Sequence, residues 1–376
     1  MAERTASPLI AGLRRYSRHL LIPEVGVAGQ ERLSAARVLC IGAGGLGSPV
    51  LQYLAAAGVG RLGVMDDDTV DESNLQRQTI FSTGDLGQSK AQVAARRVRE
   101  INPLVAADPI AARFDAGNAR DLVRLYDIVV DCTDRFETRY LVNDACVLEG
   151  KPDVYGSIFR FDGQVSVFAP AHGEHGPCYR CLFPQAPPPG TVPTCAEGGV
   201  LGVLAGIVGT LQANEALKLI LGIGEPLIGR LLLVDALGAR MREVTIERDP
   251  ACPLCGNSPA ITGVSEPAEE VQAVDVEEID AVQLDAALPD AILLDVREPH
   301  ETALGIIDGA LHVPATQLPE RLHELDSAKR YIVACRVGQK SLWAARLLRD
   351  AGFRRVVHLR GGLLSYAASH DEFAFF

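Results

Sequence analysis

Three sets of residues in this sequence have the types and spacing to do chemistry. The first is Gly42, Gly44 and Gly47, a G-x-G-x-x-G whose missing side chains let a phosphate approach a helix N-terminus. Asp66 follows 24 residues after Gly42, an acid placed to hold a ribose hydroxyl. Alone, these residues fit a dinucleotide-dependent oxidoreductase or a tight turn without ligand equally well. Arg77, Lys90 and Asp134 add two cations and an acid. Transfer of AMP needs such cations against developing phosphate charge and an acid to hold Mg²⁺, whereas hydride transfer does not require them. Each of the three, taken singly, also reads as a solvated surface charge.

The second set is two thiol pairs, Cys178-Tyr-Arg-Cys181 and Cys252-Pro-Leu-Cys255, with 70 residues between them. A two-residue spacer lets both sulfurs of a pair reach one tetrahedral ion, and an all-sulfur set favours Zn²⁺ in a structural role. The third set is single cysteines. Cys335 follows the apolar run YIVA and opens Cys-Arg-Val-Gly-Gln-Lys-Ser, after which a helix begins. A thiol at a helix N-terminus beside Arg336 is expected to ionise below its ordinary pKa. Cys195, in Thr-Cys-Ala-Glu-Gly-Gly, follows a segment with five prolines in ten residues, Pro184 to Pro193. That composition excludes regular structure and points to a crossing loop or lid. Cys40, Cys132 and Cys146 sit in apolar or helical surroundings and read as packing residues.

These groups need strands and helices to hold them. Arg37–Ile41 reads as a strand feeding the glycine motif, and 48–58 as a helix. Leu62–Met65 and Asp127–Asp131 read as strands ending in acids, and Ser89–Ile101 as a helix with apolar residues three and four apart. Val165–Phe168 and Leu231–Val234 read as further strands around a long helix near 202–221. Strands separated by helices predict an α/β fold whose first unit is a Rossmann-like, mostly parallel sheet. Residues 256–273 are poor in large apolar side chains and read as a linker between a domain at 1–255 and another at 274–376. In the latter the pattern restarts with strands at 291–296, 331–334 and 355–359 and a helix at 342–351.

The whole chain of 376 residues carries 36 Lys and Arg against 48 Asp and Glu, a formal charge of −12, which disfavours nucleic acid as the main partner. Nine cysteines, an odd number over a long chain, are unlike a secreted disulfide scaffold. The N-terminus shows no apolar core with a cleavage site, and the most apolar stretch, 199–211, soon meets Gln212, Asn214 and Glu215. The expectation is a cytoplasmic protein with no membrane partner.

Residues 15–255 resemble the family of MoeB and ThiF activating enzymes, itself similar to the adenylation half of ubiquitin-activating enzymes. The likeness rests on RYSRH around Arg18, GAGGLGS, the DDDTVDESNLQRQ run, GQSK and DCTDRFETR. It implies that Asp66 contacts ribose, that Asn74, Arg77 and Lys90 contact phosphates, and that Asp134 holds Mg²⁺. Gly42, Gly44, Gly45, Gly47 and Gln78 complete the ATP-binding set. It further implies that Arg18 reaches into a partner subunit's site, hence a homodimer, and that the four cysteines bind zinc. Residues 274–376 resemble a rhodanese through LDVREPHE, GALHVP, CRVGQKS and VHLRGG. That implies a persulfide on Cys335, with Asp295 and Arg297 supporting the fold, and the six residues from Cys335 to Lys340 match a sulfur-transfer loop. Cys195 resembles a second cysteine on the crossover loop of activating enzymes.

Together these imply adenylation of the C-terminal glycine of a small ubiquitin-like sulfur-carrier protein ending in Gly-Gly, then sulfur transfer from Cys335 to give a thiocarboxylate. Cys195 would be the resolving thiol, and the sulfur donor a cysteine desulfurase or thiosulfate. Rival readings are an NAD-dependent oxidoreductase with a rhodanese appendage, and a noncatalytic module that binds a ubiquitin-like protein.

Overall fold

The computed structural model describes residues 14–170, 176–186, 198–266, 276–368 and 370, in two units. In the first unit, α1 (Ser17–Leu20) and α2 (Gly26–Ala35) precede β1 (Arg37–Ile41). Val38, Leu39, Cys40 and Ile41 of β1 are all buried, as a central strand covered on both faces requires. Then come α3 (Gly47–Ala57), β2 (Arg61–Met65), α4 (Lys90–Ile101), β3 (Ala106–Ile110), α5 (Ala119–Arg124), β4 (Ile128–Asp131) and α6 (Phe136–Glu149). The unit continues with β5 (Asp153–Phe159), β6 (Asp162–Phe168), α7 (Tyr179–Leu182), α8 (Gly202–Leu221), β7 (Arg230–Asp235) and β8 (Arg240–Thr245).

The sheet order is β3-β2-β1-β4-β5-β6-β7-β8, parallel through β5 and antiparallel from β5 to β8. The chain leaves β1 toward β2 and leaves β4 toward β5, on opposite sides, so the carboxyl ends of the adjacent strands β1 and β4 are the topological switch point, the crevice where ligands of open α/β sheets bind. The glycine motif follows β1 and Asp134 follows β4, so the topology puts both at that crevice.

α8 is 20 residues long and apolar enough by composition to cross a membrane. Here it packs on α3, β5 and β6, and its polar residues Gln212 and Glu215 are buried with partners. Residues 256–266 form neither helix nor strand, yet Val264 packs against the core under α5 and α6, and Glu266 accepts from the Ala116 N–H at 2.9 Å.

The second unit has its own core. Its elements are β9 (Glu277–Ile279), α9 (Ala281–Ala287), β10 (Ile292–Asp295), α10 (Pro299–Thr302), β11 (Leu311–His312), α11 (Leu318–Arg321), β12 (Tyr331–Ala334), α12 (Gln339–Asp350), β13 (Val356–Leu359) and α13 (Gly362–Ala367). The strands form an all-parallel sheet, β11-β10-β12-β13-β9, whose two faces bury separate apolar clusters. The expectation of two α/β folds is met.

Candidate functional site

In the first unit the glycines are needed for specific steric reasons. Gly42 has φ +92°, and a Cβ there would sit 2.8 Å from the Cys132 carbonyl oxygen. A Cβ at Gly47 would fall onto the Gly42 carbonyl oxygen, so the turn into α3 closes only without one. Gly44 and Gly45 instead face side chains. A Cβ on Gly44 would lie 3.4 Å from Gln78 Nε2, and one on Gly45 would lie 3.6 Å from Arg77 Cγ. Arg77 and Gln78 therefore lie across the loop.

Asp66, at the end of β2, accepts from the Ala43 N–H at 2.8 Å through Oδ2 and from the Asp68 N–H at 2.9 Å through Oδ1. Burial raises its pKa above the ordinary carboxylate value, with Lys90 and the two N–H groups opposing. Lys90 is buried, and its Nζ pairs with Asp68 at 2.9 Å. Asp68 thus holds the lysine beside Asp66, a role not assigned from sequence although the residue stands within the acidic run. Arg77 is half-buried and donates from its guanidinium to the Ser73 carbonyl at 3.1 Å. Asn74 Nδ2 donates to Ser73 Oγ at 3.3 Å, and the Asn74 carbonyl accepts from the Arg77 and Gln78 N–H groups. Asp134 is exposed between β4 and α6. Arg18 is exposed on α1, and the preceding Tyr16 packs under Gly58, the C-cap of α3. That is the opposite end of α3 from the glycine loop, about 16 Å along an 11-residue helix. The fold brings the glycine loop, Asp66, Arg77, Gln78 and Lys90 together and leaves Arg18 apart.

Behind the loop, the buried Gln212 amide donates to the Asp131 carbonyl at 2.7 Å and the Val154 carbonyl at 3.0 Å, tying the ends of β4 and β5. Asp131 accepts from the Thr133 N–H and hydroxyl, while its Oδ2 and Asp153 Oδ1 are buried without a partner among the described residues. Burial pushes Asp131 up despite Arg139, and pushes Asp153 up well above its ordinary value, with Asp131 adding repulsion. Cys40 and Cys132 are buried with sulfurs 3.8 Å apart, and Cys146 is buried too.

The sulfur atoms of Cys178, Cys181, Cys252 and Cys255 all lie within 4.8 Å of one another. The separations are 3.9 Å for Cys178–Cys181, 3.6 Å for Cys178–Cys252 and 3.4 Å for Cys181–Cys255. A tetrahedron of thiolates around one Zn²⁺ at about 2.3 Å has sulfurs roughly 3.8 Å apart, so the donor set fits that ion. Sulfur neighbours push Cys178 up, while hydrogen bonds from Cys178 and Cys255 hold Cys181 low. A divalent cation would relieve that conflict. The cluster is joined to α6, because Arg180 clamps Asp144 with two bonds of 2.7 Å and Asn143 accepts from the Tyr179 N–H at 2.7 Å.

In the second unit Cys335 directly follows β12 and is 1% exposed. Its sulfur accepts from the Gly338 N–H at 3.2 Å and the Ser341 N–H at 3.3 Å, the first turn of α12. The expected low pKa is corrected here: burial raises the thiol above its ordinary value, and the hydrogen bonds offset this only in part. Sequence reasoning counted the helix and Arg336 but had no signal for the depth of the pocket. Lys340 pairs with Glu301 at 3.2 Å. Arg297, 2% exposed, clamps Asp295 and donates to the Gly305 carbonyl, a structural placement. Cys195 lies outside the described residues.

Comparison with known proteins agrees with both units. The ThiF family model matches residues 16–254, and the rhodanese-like domain model matches residues 280–369. Over 249 residues the chain is 58% identical to the sulfur carrier protein adenylyltransferase of Thermus thermophilus, covering 66% of this chain and 92% of that one. Over 366 residues it is 47% identical to the probable adenylyltransferase/sulfurtransferase MoeZ of Mycobacterium tuberculosis, covering 94% and 92%. Among solved structures, that of E. coli MccB with ATP aligns at 26% identity and TM-score 0.54, over 64% of this chain and 74% of that one. With its glycine loop, Asp66 and Lys90 inside the span matched by one family model and its Cys335 loop inside the span matched by the other, the chain belongs to the ThiF family and carries a rhodanese-like domain after it.

Proposed function

We propose that this protein uses ATP to adenylate the C-terminal glycine carboxylate of a ubiquitin-like sulfur carrier ending in Gly-Gly and then delivers sulfur to it from Cys335. The observation that carries this reading is the glycine loop overlain by Arg77 and Gln78, with Lys90 held beside Asp66, in one chain with a thiol in a helix-capped loop.

The carrier carboxylate is already ionised near neutral pH and needs no strong base. One of its oxygens attacks the α-phosphorus of ATP, and pyrophosphate leaves with the bonding pair. Arg77 and Lys90 would meet the charge that builds on the phosphate oxygens, Asn74 and Gln78 would orient them, and Asp66 would hold the ribose. Asp134 is the acid suited to Mg²⁺, which when bound would neutralise phosphate charge. The four-cysteine cluster suits Zn²⁺ as a structural tie. Arg18, standing away from its own chain's loop, would complete the site of a second copy in a homodimer.

The acyl adenylate makes the carbon electrophilic, with AMP as leaving group. The outer sulfur of a Cys335 persulfide attacks it, AMP departs, and an acyl disulfide forms. The Cys195 thiolate attacks Cys335 Sγ, releasing the thiocarboxylate and leaving a Cys195–Cys335 disulfide that a cellular thiol reduces. Fusing the two units raises the local concentration of one partner for the other. The persulfide sulfur would come from a cysteine desulfurase or thiosulfate, and the free thiols suit a reducing, cytoplasmic setting.

The test is carrier-dependent exchange of labelled pyrophosphate into ATP. Arg77→Ala should lower it at least about 100-fold with the fold intact, since Arg77 is half-buried and donates to a local carbonyl, that of Ser73. Unchanged exchange would defeat the reading, and a bound dinucleotide without exchange would favour the oxidoreductase. Incubation with ATP, Mg²⁺ and thiosulfate, then weighing the intact carrier, should show replacement of one oxygen by sulfur.

A further inference from the structure

Beyond the backbone N–H groups, Cys335 has one side-chain neighbour that leads away from the pocket. Its sulfur lies 3.4 Å from Ser341 Oγ, and Ser341 Oγ lies 3.1 Å from His358 Nδ1. All three residues are buried, at 1%, 0% and 4% exposure. Ser341 is in the first turn of α12, and His358 is on β13, the strand beside β12, which Cys335 follows. A buried histidine meeting a buried hydroxyl that meets a reactive sulfur is a continuous path for a proton.

We propose that Ser341 and His358 are positioning residues for sulfur loading, forming a relay that takes the Cys335 proton away from the pocket. The inference rests on the reading of Cys335 as the sulfur-carrying thiol.

A serine hydroxyl has one proton to donate and two lone pairs to accept with. In the resting arrangement the Cys335 thiol donates to Ser341 Oγ, and the hydroxyl donates either to the Gly338 carbonyl at 3.0 Å or to an unprotonated His358 Nδ1. When the hydroxyl faces Nδ1, its proton passes to the imidazole and the thiol proton replaces it on Oγ. The products are a thiolate that accepts from the Ser341 hydroxyl and an imidazolium that donates to the same oxygen. With thiosulfate as donor, the thiolate attacks the outer sulfur, the S–S bond of thiosulfate breaks, and sulfite leaves with the pair. The balance is one thiol, one thiosulfate and one neutral imidazole giving one persulfide anion, one sulfite and one imidazolium.

The relay answers a difficulty that the pocket itself creates. A thiol this deep is pushed up by burial, and hydrogen bonds from the Ser341 hydroxyl and from the Ser341, Gly338 and Val337 N–H groups offset that only in part. A nearby base that is neutral at physiological pH is what such a thiol needs. Burial holds His358 below its ordinary value, which favours the neutral, proton-accepting imidazole at physiological pH although it weakens it as a base. The charged groups facing it from neighbouring elements are Glu278 on β9, its register partner, which favours the imidazolium, and Arg346 on α12, which opposes it. On the β12 side its register partner is Val333, which has no charge.

The experiment uses the full chain, with thiosulfate as the sulfur source and sulfite release in a single turnover as the readout, from about pH 6 to pH 10. Asn at 358 can still hydrogen-bond from near the Nδ1 position but cannot take up a proton. His358→Asn should therefore slow sulfite release about tenfold near neutral pH and move the rising limb up by about one pH unit. The two proteins should converge in alkali, where hydroxide ionises the thiol. A histidine that merely fills space would leave the pH profile in place, and that result would overturn the proposal. Should Asn at 358 loosen the sheet, Ser341 decides. Ser341→Ala should reproduce the alkaline displacement and Ser341→Thr, which keeps the hydroxyl, should reverse it; a wild-type profile for Ser341→Ala would equally overturn the relay. Cys335→Ser separates the two ideas, since persisting persulfide formation in that variant would remove Cys335 itself as the carrier.

Discussion

Asp153 and Asp131 are buried acids that repel one another, and neither is among the residues proposed to contact phosphate. Both are buried, each has an oxygen without a partner among the described residues, and burial raises both above the ordinary carboxylate value. The sign of the resulting pH dependence follows from the raised folded-state value. The stability that protonated Asp153 contributes is full below the unfolded carboxylate pKa of about 3.9 and is lost as pH rises through the higher folded value. At pH 8 the chain therefore bears the cost of a buried acid that resists ionising. Asp153→Asn, nearly isosteric with the protonated acid, should raise the thermal midpoint by a few degrees at about pH 8 and by much less at about pH 4. Equal shifts in calorimetry at both pH values would mean that titration is not the cause.

α8 illustrates how one element supports the crevice. Its Gly209 packs so closely on the turn into α3 that a Cβ would fall on the Leu46 carbonyl oxygen, and its Gln212 bridges β4 and β5. Gly156 on β5 leaves the room that the Gln212 amide occupies, so glutamine and glycine require one another. Gln212→Ala would remove the hydrogen bonds to two buried carbonyls at about 1 to 3 kcal/mol each, lowering stability by roughly 2 to 6 kcal/mol. Because β4 runs on to Asp134, the same change should weaken ATP binding; denaturant titration and nucleotide titration would measure the two effects. Unaltered nucleotide affinity with lowered stability would confine Gln212 to a packing role.

The whole molecule consists of two units whose described apolar clusters each belong to one unit. Loss of the metal should therefore act on one of them. Cys181→Ser removes one of four thiolates and should reduce bound zinc to well below one ion per chain. A structural zinc site contributes folding free energy directly. The calorimetric transition of the first unit should fall by about 10 °C or more, while that of residues 276–370 stays where it was. A uniform fall of both transitions would refute separate cores, and full zinc content in the variant would refute the four-cysteine site.

Much of this protein was legible from residue order alone, wherever function depends on neighbours in the chain. Gly42 to Gly47 after an apolar strand, the two CxxC pairs and the Cys335 loop before α12 are local patterns whose geometry a few backbone dihedrals settle. β3 was missed because Ala-Ala-Asp-Pro reads as a turn; Pro109 is tolerated because β3 is the sheet's edge. β8 was missed because all six of its residues are exposed, leaving no apolar alternation to see. Only the tertiary structure paired Lys90 with Asp68, set Gln212 across two strands, and placed His358 behind Ser341. It also reversed the direction expected for the Cys335 thiol. Hydrogen-bond donors next in sequence can be counted from sequence, but desolvation depends on everything packed around a group, and most of that comes from distant parts of the chain.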